Sequence, residues 1–237
     1  MKKIGIIGAM QIEINHLKDL MLSGGEAKKT VEGGLEFYSG HIGKNECVVV
    51  RCGVGKVNAA LCAQRLILGF GCTHIINTGI AGAIKSGLGI LDFVVSSDAV
   101  YHDMDATGFG YKIGQIPQLD VYSFLADEKM IQTVKKSFDG MDEFANHHLI
   151  EGRIATGDQF ISDKQKKEKI VRDVEPACVE MEGCAIAHAC FLNKIPFVII
   201  RCMSDMADDL SSNGYEFNES IAADLSSRLV EKVIKEI

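Results

Sequence analysis

The sequence predicts an α/β domain built on a mixed, mostly buried sheet, and three observations carry that reading. Strand-like and helix-like segments alternate along the chain, several strands are apolar at every position, and glycines or acids stand at the strand ends. A strand that is apolar without alternation needs helices on both faces of its sheet. With 237 residues, 47% of them hydrophobic, the chain is long enough to bury a sizeable core in one compact domain.

The elements come in this order. An apolar run at 3–7 stops at Gly8, and a helical period covers 13–22. Segments 35–42 and 46–51 read as a β-hairpin because only Gly43, Lys44 and Asn45 separate them, and this pair makes the sheet mixed. After Gly53-Val54-Gly55 comes a helix at 57–70, then a continuously apolar strand at 74–78 and another strand at 93–100. Helix 127–138, strand 148–156, helix 163–173, strand 177–180, helix 183–192, strand 197–202 and a long helix at 219–237 complete the alternation. No repeat, low-complexity tract or Pro/Gly/Ser-rich linker divides the chain. The longest stretch without periodicity is 101–124, "YHDMDATGFGYKIGQIPQLDVYSF". Loops of this length in compact domains are mostly functional or line an interface. Its aromatic and apolar content predicts packing over a ligand, against a partner subunit, or both.

Composition narrows the function classes. A formal net charge of −7 disfavours nucleic acid and anionic membrane surfaces as partners. The lysine-rich run at 164–169 is interrupted by Glu168 and reads as a solvated helix face. The apolar part of "MKKIGIIGAM" is too short for an export or membrane segment, and Glu13 and His16 follow at once. Eight cysteines with no C-x-x-C pair, mostly within apolar runs, read as reduced core residues of a cytoplasmic protein.

Open α/β sheets bind ligands at the carboxyl ends of their strands. That rule gathers Gly8-Ala9-Met10 with Glu13, Gly53-Val54-Gly55, "TGIAGA" at 78–83, "TGDQFI" at 156–161, "VEME" at 179–182 and "SDMADD" at 204–209. The turn after Gly8 sits where many α/β proteins cradle a phosphate, yet it carries Glu13 and no Lys, Arg, Ser or Thr. Glu13 could equally be a first-turn acid complementing the helix dipole. The dinucleotide fingerprint, with its third glycine and distant acid, is missing after Gly5. "TGIAGA" fits either a backbone wrapped closely on a ligand or a tight strand–helix crossing. Glu180 and Glu182 flank Met181 just after a short apolar strand and are read as taking opposite sides, so that one of them faces inward, where sugar hydroxyls are natural partners. Asp205 follows the apolar run "IPFVIIRCMS" and lies at a strand end, whereas Asp208 and Asp209 read as solvated. His102, Asp103 and Asp105 could hold a metal or only hydrogen-bond their loop. No second ligand cluster supports a metal. No G-x-S-x-G elbow or Ser-His-Asp pattern is present, and His41, His74, His147, His148 and His188 read as surface or core histidines.

Seven motifs in order, "IGIIGAMxxEI", "CGVGKVNAA", "INTGIAGA", "YHDMDATGFGYKIGQIP", "TGDQFI", "VEMEGCAIAH" and "PFVIIRCMSDMAD", span Ile4 to about Asp208. Together they resemble the bacterial 5′-methylthioadenosine/S-adenosylhomocysteine nucleosidases of the nucleoside phosphorylase superfamily. The resemblance implies one three-layer α/β/α domain over 1–237, a mixed and strongly curved central sheet, and a homodimer. It implies hydrolysis of the N-glycosidic bond in 5′-methylthioadenosine, S-adenosylhomocysteine and 5′-deoxyadenosine, in methionine salvage, without metal or cofactor. Carried onto matching positions, it casts Asp205 as the acid protonating adenine N7 and Glu13 as the base activating water. Glu182 binds the ribose hydroxyls and Met181 packs on the sugar. Phe160 stacks on adenine, Ile161 reads its edge through the backbone, and Arg201 supports the water and Glu13. Ser204 also contacts substrate. Met10, Val54 and Phe217 line the 5′ end, with Tyr215 competing with Phe217 for closure of the site. Ala106, Phe109 and Pro117 match positions that reach across the dimer interface. Ile80 stands where some relatives have a serine, and relatives acting on futalosine share these motifs.

The chemistry agrees with those roles. Cleaving a glycosidic bond builds oxocarbenium charge on the sugar and electron density on the departing base, which calls for an acid on one side and an activated water on the other. To hold a proton near neutral pH, Asp205 needs apolar surroundings or neighbouring acids. A carboxylate at the glycine turn repels phosphate, so water is the better nucleophile, and Arg51 is the one nearby residue suited to phosphate. Two other classes stay open: a phosphorylase of the same superfamily, and a non-catalytic nucleoside-binding protein, against which the trio Glu13, Glu182 and Asp205 counts.

Overall fold

The computed structural model describes residues 2–25, 27–207 and 212–237, with side chains throughout except at 212–217. Strand β1 (Lys3–Gly8) shows why its run is apolar throughout: Ile4 and Ile6 enter one core and Ile7 the opposite one. Gly5 faces Leu66 and Cys72, where a Cβ would lie 3.0 and 3.2 Å from them. Helix α1 (Gln11–Ser23) comes next, and β2 (Lys28–Glu32), β3 (Leu35–Ile42) and β4 (Asn45–Arg51) form an antiparallel meander. Then come α2 (Lys56–Leu68), β5 (His74–Ala83), β6 (Phe93–Tyr101), the short β7 (Phe124–Leu125), α3 (Glu128–Asp139), β8 (Leu149–Thr156), α4 (Lys164–Val174), β9 (Cys178–Glu180), α5 (Gly183–Asn193), β10 (Phe197–Asp205) and α6 (Ser212–Glu236).

The ten strands make one mixed sheet in the order β10-β6-β8-β9-β5-β1-β4-β3-β2, with β7 on β6. β10 also pairs with β5, so β5, β10, β6, β8 and β9 close on themselves and the sheet curls at that end. Helices α2 and α5 cover one face through residues such as Cys62, Leu66, Ile186 and Cys190. Helices α1, α3 and α6 cover the other through Leu17, Val134, Leu229 and Val233. Ile170 and Val174 of α4 join a smaller cluster with Val100, Ile161 and Val179. All eight cysteines are free and buried, as expected of reduced core residues. The predicted three-layer architecture around a curved mixed sheet is the one observed.

Three features depart from the sequence reading. "TGIAGA" is no connecting loop: β5 runs through it to Ala83, because β10 pairs with it from Phe197↔Ile75 to Asp205↔Gly82 and β9 closes on its last two residues. Strands β2 and β7 carry no strong signal. β2 is a mostly exposed edge strand of sequence KKTVE, and its hairpin turn is Gly33-Gly34, both at positive φ. Helix α6 begins at Ser212 rather than 219, ahead of the apolar periodicity.

The short β9 brings distant strand ends together. It runs antiparallel to β5, yet the Gly82↔Val179 pairing puts the ends of both strands side by side. Residues that close oppositely running strands therefore meet in one place.

Candidate active site

At that meeting point lies a cavity of about 190 Å³, walled by the ends of β1, β5, β9 and β10, by Val54 of the glycine loop and by Phe160 of the loop after β8. Glu13 enters from the first turn of α1 and is 3% exposed. Its Oε2 accepts from Ala9 N at 2.7 Å and Met10 N at 2.8 Å, and its Oε1 accepts from Ile80 N at 3.1 Å. Burial raises the Glu13 pKa, opposed by the field of Arg201 and by these backbone donors. The Ile80 contact is made by the backbone, so the missing serine hydroxyl does not leave Glu13 unsupported there.

Two glycines of "TGIAGA" explain themselves by what they leave room for. A Cβ on Gly79 would lie 2.4 Å from Glu13 Oε1, and one on Gly82 would lie 2.9 Å from Asp205 Oδ1. The segment is strand, so a helix crossing is not the reason, and Ile80, Ala81 and Gly82 line the cavity. The strand is stripped of side chains where two carboxylates from other elements press against it.

Asp205 closes β10 and is 4% exposed. Its Oδ2 accepts from Ser204 Oγ and its Oδ1 from Ala207 N, both at 2.8 Å. Each carboxylate oxygen keeps a further lone pair for a ligand donor.

Glu180 and Glu182 do not point to opposite sides; both are buried. Residues two apart in an extended chain share a face rather than oppose each other, and the strand in any case ends at Glu180 before the chain turns into α5. Glu180 accepts from Glu182 N, Gly183 N, the Thr156 hydroxyl and Arg201 Nη2. Arg201 also donates to Asn77 Oδ1 and lies fully inside the protein. Its hydrogen-bond partners are Glu180, Asn77 and the Ile200 carbonyl, and it reaches Glu13 through its field. Glu182 instead lines the cavity, with Oε1 accepting from Gly55 N at 2.7 Å. Burial, then the adjacent Glu180 charge, push its carboxyl up to about 8.

Of the residues proposed from sequence, Met10, Glu13, Val54, Ile80, Phe160, Met181, Glu182, Ser204 and Asp205 line this one cavity. Phe160 is 50% and Val54 49% exposed, which places them at the rim. Ile161 is buried beside Phe160, and Arg201 lies behind the wall. Ala106, Phe109 and Pro117 are not on the wall of this chain's own cavity. The side chains of Tyr215 and Phe217, together with Asp208 and Asp209, lie outside the described residues. Sequence reasoning misses Glu180, Gly79 and Gly82 as site residues. Glu180 has a signal, since an acid closing a buried strand needs a buried cation, and Arg201 in an apolar run is that cation. Arg51 is exposed and off the cavity wall. Among the described residues no group of three or more His, Cys, Asp or Glu side chains is arranged to hold a metal ion. Asp103 of "YHDMD" instead pairs with Lys56, and Asp105 accepts from Thr107.

The sequence profile described as the Phosphorylase superfamily matches residues 3–235. This chain belongs to that superfamily. Among its superfamily relatives, a 5′-methylthioadenosine/S-adenosylhomocysteine nucleosidase of Treponema pallidum is 39% identical over 97% of this chain and 93% of its own length. The crystal structure of the nucleosidase of the same name from Colwellia psychrerythraea, in complex with adenine, is 38% identical and has a TM-score of 0.92 over 98% of this chain and 94% of that one. The futalosine hydrolase of Helicobacter pylori has the same fold, with a TM-score of 0.92 at 30% identity over 100% of this chain and 98% of its own.

Proposed function

We propose that this chain is an N-glycosyl hydrolase that splits 5′-methylthioadenosine and S-adenosylhomocysteine into adenine and the thioribose product. The observation that carries the reading is electrostatic. Glu13, Glu180, Glu182 and Asp205 surround the cavity, and the buried guanidinium among them, Arg201, is held by Glu180. Among the described residues that line the cavity there is no Lys, Arg or His, so phosphate finds no counter-charge there and water is favoured as the nucleophile. The names of the superfamily relatives at 38–39% identity support the same substrates.

Adenine lies against Phe160, with its edge at the Ile161 backbone and N7 at Asp205. The ribose hydroxyls meet Glu182, and Met181 packs on the sugar. The water sits at Glu13. As the bond from the anomeric carbon to N9 breaks, its electron pair goes to adenine and Asp205 delivers a proton to N7. Water adds to the oxocarbenium carbon and gives its proton to Glu13. Acid and base each supply about 10²- to 10⁴-fold. The apolar 5′ substituent lies along Met10 and Val54, with Phe217 or Tyr215 as the closing side chain.

The same reading makes residues 1–237 one nucleosidase domain acting as a cytoplasmic homodimer, with 5′-deoxyadenosine as a further substrate. Phe109 is 86% exposed in a loop otherwise anchored by core packing, and Val57, Leu61 and Leu68 form an exposed apolar stripe on α2. A second subunit covers such residues and brings Ala106, Phe109 and Pro117 to its partner's cavity. No helix of the described residues is long and apolar enough to cross a membrane.

The test is incubation of the purified chain with methylthioadenosine, S-adenosylhomocysteine, futalosine and inosine, with chromatographic detection of the free base. Adenine from the first two, with no hypoxanthine from inosine, is expected. No adenine from either thionucleoside would overturn the reading.

A further inference from the structure

Two chain segments that build the cavity, the glycine loop and the Phe160 loop, converge with the 102–123 loop on one ammonium group outside it. Lys56 opens α2 directly after the glycine loop, and its Nζ lies 2.8 and 2.7 Å from the two carboxylate oxygens of Asp103. The same Nζ is 3.5 Å from Asp158 Oδ2, and Lys56 N donates to Asp158 Oδ1 at 2.9 Å. Asp158 N in turn donates to Asp103 Oδ2 at 2.9 Å. Asp103 belongs to the 102–123 loop that leads to Phe109, and Asp158 stands two residues before Phe160. One residue before Lys56, Gly55 N holds Glu182. Gly55 sits at φ +99, and a Cβ there would lie 3.2 Å from Asp158 Oδ1, so the glycine loop and the Phe160 loop are in direct contact.

We infer that Lys56 is a positioning residue that fixes the Phe160 loop relative to Glu182, and so sets the distance between the base subsite and the ribose subsite. The proposal rests on the nucleosidase reading above, in which Phe160 meets adenine and Glu182 meets ribose. Phe160 is half exposed at the cavity rim while Ile161 beside it is packed in the core, so the rim side of the loop is the part that Lys56 and Asp158 tie down. One backbone hydrogen bond from Lys56 N to Asp158, a longer ion pair from its Nζ to the same carboxylate, and the Nζ–Asp103–Asp158 N relay hold that loop to the start of a rigid helix. The start of that helix also carries the Glu182 contact, so both subsites are referred to one frame. Asp103 extends the frame to the loop bearing Phe109.

The consequence falls on binding of the base more than on the chemical step, because Lys56 touches neither Glu13 nor Asp205. Lys56→Met is expected to raise the inhibition constant of free adenine and the KM for methylthioadenosine by about tenfold, with kcat within about threefold of wild type. Lys56→Arg, which keeps the charge, returns both to within about threefold. Asp158→Ala removes a half-exposed side chain with little risk to folding and gives the same pattern as Lys56→Met. The double variant is no worse than either single one, since both act through the same loop. Phe160→Ala, measured alongside, raises the adenine inhibition constant at least tenfold. If Phe160→Ala has that effect while Lys56→Met and Asp158→Ala leave adenine inhibition within twofold of wild type, the positioning role is wrong and the nucleosidase reading stands. If Phe160→Ala itself leaves adenine inhibition unchanged, the base-stacking role falls and the positioning role with it.

Discussion

Glu13→Gln separates the proposed chemistry from folding. The carboxylate is 3% exposed, with Ala9 N and Met10 N on Oε2 and Ile80 N on Oε1. A glutamine can keep its oxygen toward the pair of donors from Ala9 and Met10. Its NH2 then faces Ile80 N–H, so one hydrogen bond is lost and two donors oppose each other. That costs about 1–3 kcal/mol. It is offset in part because the buried group no longer carries a charge that burial disfavours. A domain with stability of about 5–15 kcal/mol survives the change. The catalytic loss is larger: removing a general base worth 10²- to 10⁴-fold corresponds to about 3–5 kcal/mol of transition-state stabilisation. Glu13→Gln is therefore expected to fold, with a small fall in Tm, and to lose at least 100-fold in kcat for adenine release, with KM changed by less than about tenfold. The assay is adenine formation from methylthioadenosine in phosphate-free buffer, with thermal unfolding measured on the same preparation. A folded Glu13→Gln protein with kcat within threefold of wild type would refute the assignment of Glu13 as the base.

Three further predictions bear on the same site. Asp205→Asn keeps the shape of the side chain but cannot deliver a proton, so turnover should fall by at least 100-fold while adenine still binds; titration calorimetry with adenine checks the second half, and unchanged turnover would contradict the acid role. Gly79→Ala places a methyl 2.4 Å from the Glu13 Oε1 position and is expected to lower kcat by more than tenfold, whereas a wild-type rate would show that this carboxylate need not sit where it does. The Glu182 carboxyl, pushed up to about 8 by burial and by Glu180 against an ordinary 4.5, binds a proton in the folded state that the unfolded chain has released between those values. Its contribution to stability is therefore complete below pH 4.5 and is lost as pH rises through 8, so urea midpoints of the empty protein should fall over that window. Glu182→Gln should flatten the fall, and a pH dependence that the substitution leaves unchanged would show that Glu182 does not titrate there.

Which parts of this structure are legible in the sequence depends on how local their causes are. The run Ile4–Ile7 is apolar because its alternate residues face two cores, a pattern visible without neighbours. Glu13 and Asp205 stand out because each acid comes directly after a buried apolar strand, where a charge needs a reason. By contrast, Gly79 and Gly82 look like loop glycines, and their purpose appears only when Glu13 and Asp205 arrive from elements far away in sequence. Glu180 escapes because the buried cation that explains it, Arg201, lies 21 residues further along the chain. Lys56 gives no signal, since Asp103 and Asp158 are 47 and 102 residues distant. Edge strand β2 is polar on nearly every side, so its Gly33-Gly34 turn is the only mark it leaves.

The nucleophile decides whether a carboxylate at the glycine turn makes this superfamily member a hydrolase. The direct measurement is methylthioadenosine turnover with and without millimolar inorganic phosphate, following adenine by chromatography and the sugar by phosphorus NMR. Adenine release at the same rate in both conditions, with no sugar phosphate signal, is the predicted result. A rate that rises with phosphate together with a 5-methylthioribose 1-phosphate signal would contradict it.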